Sequence, residues 1–161
     1  MFRDMRRSEQ SLSTDSVTAV MERCTNGILA CLGDEDYPYA VPLSFVYLQG
    51  RIYFHTAKYG HKVDAIAKHP KVSFALVDDD TIVSAEYTTH YRSVIAFGQA
   101  RLVEGDERLQ AFAALIEKYS GDRPEREKQE KVAGCSQSRV MAIDIERITG
   151  KESIEYVNAG R

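Results

Sequence analysis

The apolar positions of this chain follow two alternating periods, and the switches between them mark its elements. From Arg51 onward, Ile52 and Phe54 alternate with Tyr53 and His55, the two-residue period of a strand with distinct faces. After Gly60 the spacing becomes i, i+3, i+4 at Val63, Ile66 and Ala67, one face of a helix that Pro70 stops. The same reading predicts a helix from Ser13 or Thr14 to about Cys24, with Val17, Val20, Met21 and Cys24 on one face. A short apolar strand covers Gly27 to Leu32, and the acidic turn Gly33–Pro38 follows it. Tyr39 to Leu48 alternates next, with Val41, Leu43, Phe45 and Tyr47 on one face. Pro42 lies inside that strand and has no N–H, so it belongs at an edge or a bulge. Gln49-Gly50 then forms a tight hairpin.

Beyond Pro70, residues 71–80 alternate with Val72, Phe74 and Leu76 on one side, and 82–90 reads as a loop. Ser93 to Val103 is the longest strand, and Gly98 in its middle predicts a bend or a close approach. A helix starts at Glu104–Asp106, with Leu109, Phe112, Ala113 and Ile116 as its apolar face and Gly121 as its stop. Residues 121–131 carry mixed charges, as in a solvated turn and short helix. Arg139 to Ile148 is the last long strand, followed by a turn and a C-terminal extension over 150–161. Residues 1–12 read as a mobile arm or a segment lying on a partner. The whole chain, 1–161, is predicted to be one domain. Six strands with tight turns and decorating helices predict an α+β, mainly β class, with an antiparallel sheet closing into a small barrel.

Composition narrows the function. The net charge of −3 lacks the basic excess of a nucleic-acid binder. No apolar run reaches the roughly 18 residues of a membrane span, and the N-terminus lacks the apolar core of a signal peptide, so the expected location is cytoplasmic. Cys24, Cys31 and Cys135 are widely spaced, and the four histidines have no zinc-ligand spacing, so no metal site is expected.

Lys62 stands out chemically. A cation in a helix's first turn opposes the positive end of the macrodipole, unless an anion held by the same free N–H groups lies within its reach. Strand, polar turn, glycine and lysine thus spell a phosphate cradle. A solvated surface lysine is the competing reading.

Four segments in order resemble the flavin-binding split-barrel proteins related to pyridoxamine 5′-phosphate oxidase, within them the 5-nitroimidazole resistance (Nim-like) branch. They are PYAVPLSFVY, GRIYFHTAKYGHKVDAIAKHPKVSF, YRSVIAFGQARLVE and IDIERITGKE. The resemblance implies a six-stranded split barrel of the FMN-binding type, forming a homodimer with a cofactor site at each side of the subunit interface. It implies that Val41, Pro42 and Leu43 line the isoalloxazine ring, that His55, Thr56 and Ala57 follow the flavin edge and ribityl chain, and that His61 and Lys62 meet the phosphate. Arg92, Ser93 and Val94 fall where the family places contacts from a neighbouring region or the partner chain.

This chain has no Trp and ends IEYVNAGR, without the C-terminal Trp and Arg-x-His segment of the oxidases, so pyridoxamine phosphate oxidation is not expected. His61 replaces their phosphate-side arginine. The implied function is an FMN-dependent oxidoreductase, a nitroreductase for 5-nitroimidazole-like or other small electrophiles. His55 is the candidate substrate contact or proton donor, because imidazole titrates near neutrality; a strand histidine hydrogen-bonded to backbone or to a flavin carbonyl is the alternative role. The alternative function is a non-catalytic flavin- or haem-binding module, since fold does not fix function.

Overall fold

A computed structural model describes residues 2–135 and 138–160. Helix α1 (Thr14–Arg23) is capped by Ser13, whose hydroxyl accepts the Ser16 N–H at 3.2 Å. Strands β1 (Asn26–Leu32), β2 (Pro38–Ser44), β3 (Val46–Leu48) and β4 (Arg51–Thr56) follow, then α2 (His61–Lys68). The second half comprises β5 (Lys71–Val83), β6 (Thr88–Val103), α3 (Gly105–Ser120), α4 (Glu125–Ala133), β7 (Arg139–Glu152) and α5 (Ile154–Ala159).

The strands form one antiparallel sheet in the order β2-β1-β5-β6-β7-β4-β3. Its two edge strands, β2 and β3, are consecutive in the chain and separated by Phe45 alone. A sheet whose opposite edges are joined by one residue has to curl until those edges meet, so the architecture is a barrel left open along one seam. The count is seven strands rather than six because Phe45, with no exposed surface, breaks the Tyr39–Leu48 run in two. Pro42 sits on the edge strand β2, where its missing N–H costs no ladder bond with a second neighbour.

The first core lies inside the curl and gathers Phe45, Phe54, Phe74, Leu29, Ile52 and Val94 with Val20 and Met21 of α1. A second core lies under α3, around Tyr53, Val103, Ala111, Leu115 and Val140. Alternation predicts these faces well: neighbouring residues of β4 and β7 feed the two cores in turn, and β5 turns Val72, Phe74 and Leu76 into the first. The helices are less simple. In α2 the buried residues are Ala65 and Ile66, while Ala67 is exposed. In α3 Ala111 and Leu115 face the core, and the predicted residues Leu109, Ala113 and Ile116 turn to a groove shared with Val132 of α4.

Three further expectations change. Residues 82–90 are not a loop: β5 and β6 continue to Val83 and from Thr88, joined by a single 3-10 turn at Ser84–Glu86. The sequence IVSAEYTTH hides this because none of its side chains enters either core, and so it carries no alternation. β7 runs on to Glu152, past the predicted turn, with Gly150 paired to Val94. The N-terminal segment lies on its own chain: Leu12 N–H donates to Gly150 O at 3.0 Å, Ser11 bridges to Lys151, and Gln10 is buried.

Gly98 is a close approach, as predicted. A Cβ there would lie 2.3 Å from Asp144 O, at the point where the β6–β7 register shifts between Phe97 and Gly98.

Candidate functional site

The loop from β4 into α2 carries the cradle motif. Gly60 holds φ at 129°, backbone that favours glycine, and offers no side-chain cap to the helix behind it. Its carbonyl accepts the N–H groups of Val63 (2.8 Å) and Asp64 (3.0 Å), so the His61 and Lys62 amides are left at the helix start without an intrahelical acceptor.

Lys62 is half-buried, and among the described residues it has no hydrogen bond or ion pair. The other half-buried lysines all have partners. Lys118 donates to Cys24 O at 2.6 Å, Lys128 pairs with Glu117 at 2.6 Å, and Lys151 lies 5.3 Å from the Tyr91 ring centre. Among the described residues Lys62 is thus the half-buried lysine without one.

Four residues before Gly60, at the end of β4, Thr56 is 6% exposed and its Oγ1 is buried with no hydrogen-bond partner. His55 beside it is exposed, opposite Val140 of β7, and Ala57 is exposed where the loop begins.

His61 opens α2 with its ring stacked on Tyr39 (4.1 Å, 30°). Its Nε2 faces the β1–β2 turn, accepting the Asp34 N–H at 3.4 Å and lying 3.7 Å from the Asp34 carboxylate. The imidazole is thus held by the turn, and the His61 amide is what remains open at the helix start. Val41 and Leu43 are half-buried against the first core, and Pro42 between them is exposed on the edge strand.

Arg92, Ser93 and Val94 lie elsewhere. By register, His55 aligns through Val140 with Val103 of β6, nine residues from Val94. At about 3.3 Å per residue that is roughly 30 Å along the strand. Val94 is part of the core, and Ser93 sits between Val77 and Lys151. Arg92 pairs with Glu152 (3.1 Å) and Asp78 (3.5 Å) beneath Tyr156. Sequence reasoning missed this second cluster. The Tyr156 hydroxyl donates to Asp79, His90 packs edge-on against Tyr156 at 5.4 Å, and Arg23 forks onto Asp78. Its members are spread over 134 positions from Arg23 to Tyr156, and only the long β5–β6 hairpin brings them together.

Asp78 is held below the ordinary carboxylate range, first by the Arg23 hydrogen bonds and against the opposing effect of burial. The Cys24 thiol beside it is pushed up, chiefly by burial, so it is a poor nucleophile. Among the described residues no group of three or more His, Cys, Asp or Glu side chains could hold a metal ion, and no helix is long and apolar enough to cross a membrane.

A seam-opened barrel of antiparallel strands, with a helix starting where the fourth strand ends, defines a split-barrel protein. A profile of the pyridoxamine 5′-phosphate oxidase family matches residues 13–152, and the chain belongs to that family. Its fold is shared with several solved structures. One is a candidate 5-nitroimidazole antibiotic resistance protein from Bacteroides thetaiotaomicron, 18% identical, with a TM-score of 0.75 over 88% of this chain and 86% of that one. A conserved hypothetical protein from Mycobacterium tuberculosis is 22% identical, with a TM-score of 0.79 over 92% and 90% of the two chains. A FAD- and haem-binding protein from Mycobacterium smegmatis is 17% identical, with a TM-score of 0.71 over 94% and 80%. A comparison with curated proteins finds no match.

Proposed function

We infer that this protein is an FMN-dependent oxidoreductase acting on small electrophiles, with 5-nitroimidazole-like nitro compounds as the leading substrate class. The observation that carries the reading is Lys62, a half-buried lysine without a partner in the first turn of an uncapped helix. A phosphate monoester would satisfy the two free amides and the ammonium together. The orphaned Thr56 Oγ1 fits a polar cofactor passing the end of β4. A single cradle without a dinucleotide fingerprint favours FMN over FAD.

In this assignment Lys62 and the amides of His61 and Lys62 hold the phosphate, Thr56 and Ala57 follow the ribityl chain, and Val41, Pro42 and Leu43 wall the ring. His55 stands exposed where a substrate would approach and can hold or deliver a proton. Bound flavin supplies two-electron redox chemistry, and the protein supplies position and exclusion of water.

The distance of Arg92–Val94 from this corner supports a homodimer in which the partner subunit completes the site. So does the outer sheet face, where Ile28, Ala75 and Ile95 form one cross-strand row and Phe97 lies beside it under Phe2. Ile28 is 47% exposed and Ile95 42%, an apolar row of the sort that a partner covers.

The test is to purify the protein without added cofactor, record its visible spectrum, reduce it anaerobically and add a 5-nitroimidazole. Flavin bands that bleach and return with the nitro compound are the expected result. Flavin bands that return only with oxygen would leave a flavin-binding module. A colourless protein that ignores added FMN would end the reading.

A further inference from the structure

The arginines repeat the lesson of Lys62. Six arginines of the described chain are half-buried, and five have partners. Arg51 and Arg101 reach Asp144, each at 2.6 Å, and Arg92 reaches Glu152. Arg147 reaches Asp4 at 3.1 Å, and Arg108 donates to the carbonyls of Cys135 and Ser138. Arg139 is the exception: among the described residues nothing bonds to its side chain. The guanidinium has five donors and a fixed charge, and the chain supplies its other half-buried arginines with acceptors.

Arg139 also lines a cleft. At the sheet end where β4 and β6 finish and β7 begins, a cavity of about 490 Å³ is walled by Lys58, Arg108 and Arg139, with Leu102, Glu104 and Gly105. Its lining thus holds two arginines, Lys58 (which has a partner of its own) and one carboxylate, Glu104. Glu107, one residue before Arg108, is instead bonded to Arg101 and Tyr53. Arg108 is fixed by its two carbonyl contacts, with Nη1 and Nε left over. Gly105 adds open space, since a Cβ there meets nothing within 4 Å. Leu102, 42% exposed, gives the cleft an apolar wall beside its charges.

We propose that this cleft binds the acidic head of a small-molecule anion, a phosphate or carboxylate, whose apolar body rests on Leu102. Arg139 supplies the charge, and Arg108 supplies a preoriented second guanidinium. Lys58 of the cleft lies two residues after Thr56, on the loop that leads to the corner assigned to the flavin. The use of the cleft as the docking point for a flavin reactant rests on the FMN reading. Anion binding itself does not.

The experiment measures binding of inorganic pyrophosphate and of benzoate to the full chain by calorimetry, with and without saturating FMN, for the wild type and for Arg139→Gln and Lys62→Gln. Circular dichroism confirms the fold of each variant. The expected result is saturable binding of at least one anion that persists when saturating FMN fills the helix-start cradle. In saturating FMN, Arg139→Gln should weaken it about tenfold, as the loss of a charge-assisted hydrogen bond implies, and Lys62→Gln should leave it unchanged. Tighter pyrophosphate identifies a phosphorylated ligand, and tighter benzoate a carboxylate with an apolar body. No binding to the wild type overturns the proposal. So does binding abolished by FMN or by Lys62→Gln alone, because the anion then sits in the helix-start cradle. If FMN itself does not bind, the variants alone still decide the cleft.

Discussion

The Tyr119 hydroxyl accepts the Phe45 N–H at 2.9 Å and faces the Phe45 carbonyl at 2.8 Å. Phe45 is the one residue between the two edge strands, so α3 fastens the seam of the barrel at the point where it is open. The same hydroxyl reaches Thr25 O, just before β1. Lys118 lies 4.4 Å from the Phe45 ring centre, and Phe74 meets that ring edge-on at 4.9 Å. Tyr119→Phe leaves the Phe45 N–H without its partner and is expected to cost about 1–3 kcal/mol of stability, read by urea denaturation. A loss below the error of the titration would mean that water replaces the hydroxyl and the seam is not fastened there.

Acid should loosen the cluster around Asp78. Its side chain is 8% exposed and receives Arg23 and Arg92. Because the Arg23 hydrogen bonds hold its folded pKa below the unfolded value, its stabilisation is present in full above the ordinary carboxylate range and is lost as pH falls through the depressed folded value. Asp78→Asn should therefore cost about 3 kcal/mol at neutral pH. It should also flatten the acid limb of a plot of Tm against pH. An unchanged acid limb in the variant would assign that limb to other carboxylates.

The bulge at Gly98 makes a sharper prediction. A methyl group there would meet Asp144 O at 2.3 Å, which is backbone and cannot swing aside. Gly98→Ala should lower Tm by several degrees, consistent with the roughly 1–3 kcal/mol of an overpacked site. A neutral substitution would show that β6 and β7 can separate at this point.

These positions show what the sequence could and could not reveal. The strands of the core were legible because alternation feeds two faces, as in β4, where Ile52 and Phe54 enter one core and Tyr53 the other. Gly98 and Pro42 were legible because backbone chemistry restricts where those residues sit. The distal β5–β6 hairpin was not, since Ile82 and Tyr87 are exposed and no period survives without a core. At the site, Lys62 was found from its conflict with the helix dipole. Arg139 was not found, because a lone arginine at a strand start has no distinguishing pattern until the fold shows that every other half-buried arginine is partnered.

The apolar outer face predicts the assembly. Ile95→Lys places a charge in the middle of the row formed with Ala75 and Ile28. In sedimentation equilibrium the wild type is expected as a dimer and the variant as a monomer. A wild-type monomer at micromolar concentration would remove the shared site.

The central claim is that Lys62 and the start of α2 hold a phosphate. Its most direct test is equilibrium binding of FMN, followed by quenching of flavin fluorescence, to the wild type and to Lys62→Ala. Loss of one charge-assisted contact is expected to weaken binding by about tenfold or more. Riboflavin, which lacks the phosphate, should bind both proteins equally and weakly. Equal FMN affinity in the two proteins, or riboflavin binding as tightly as FMN, would contradict the account.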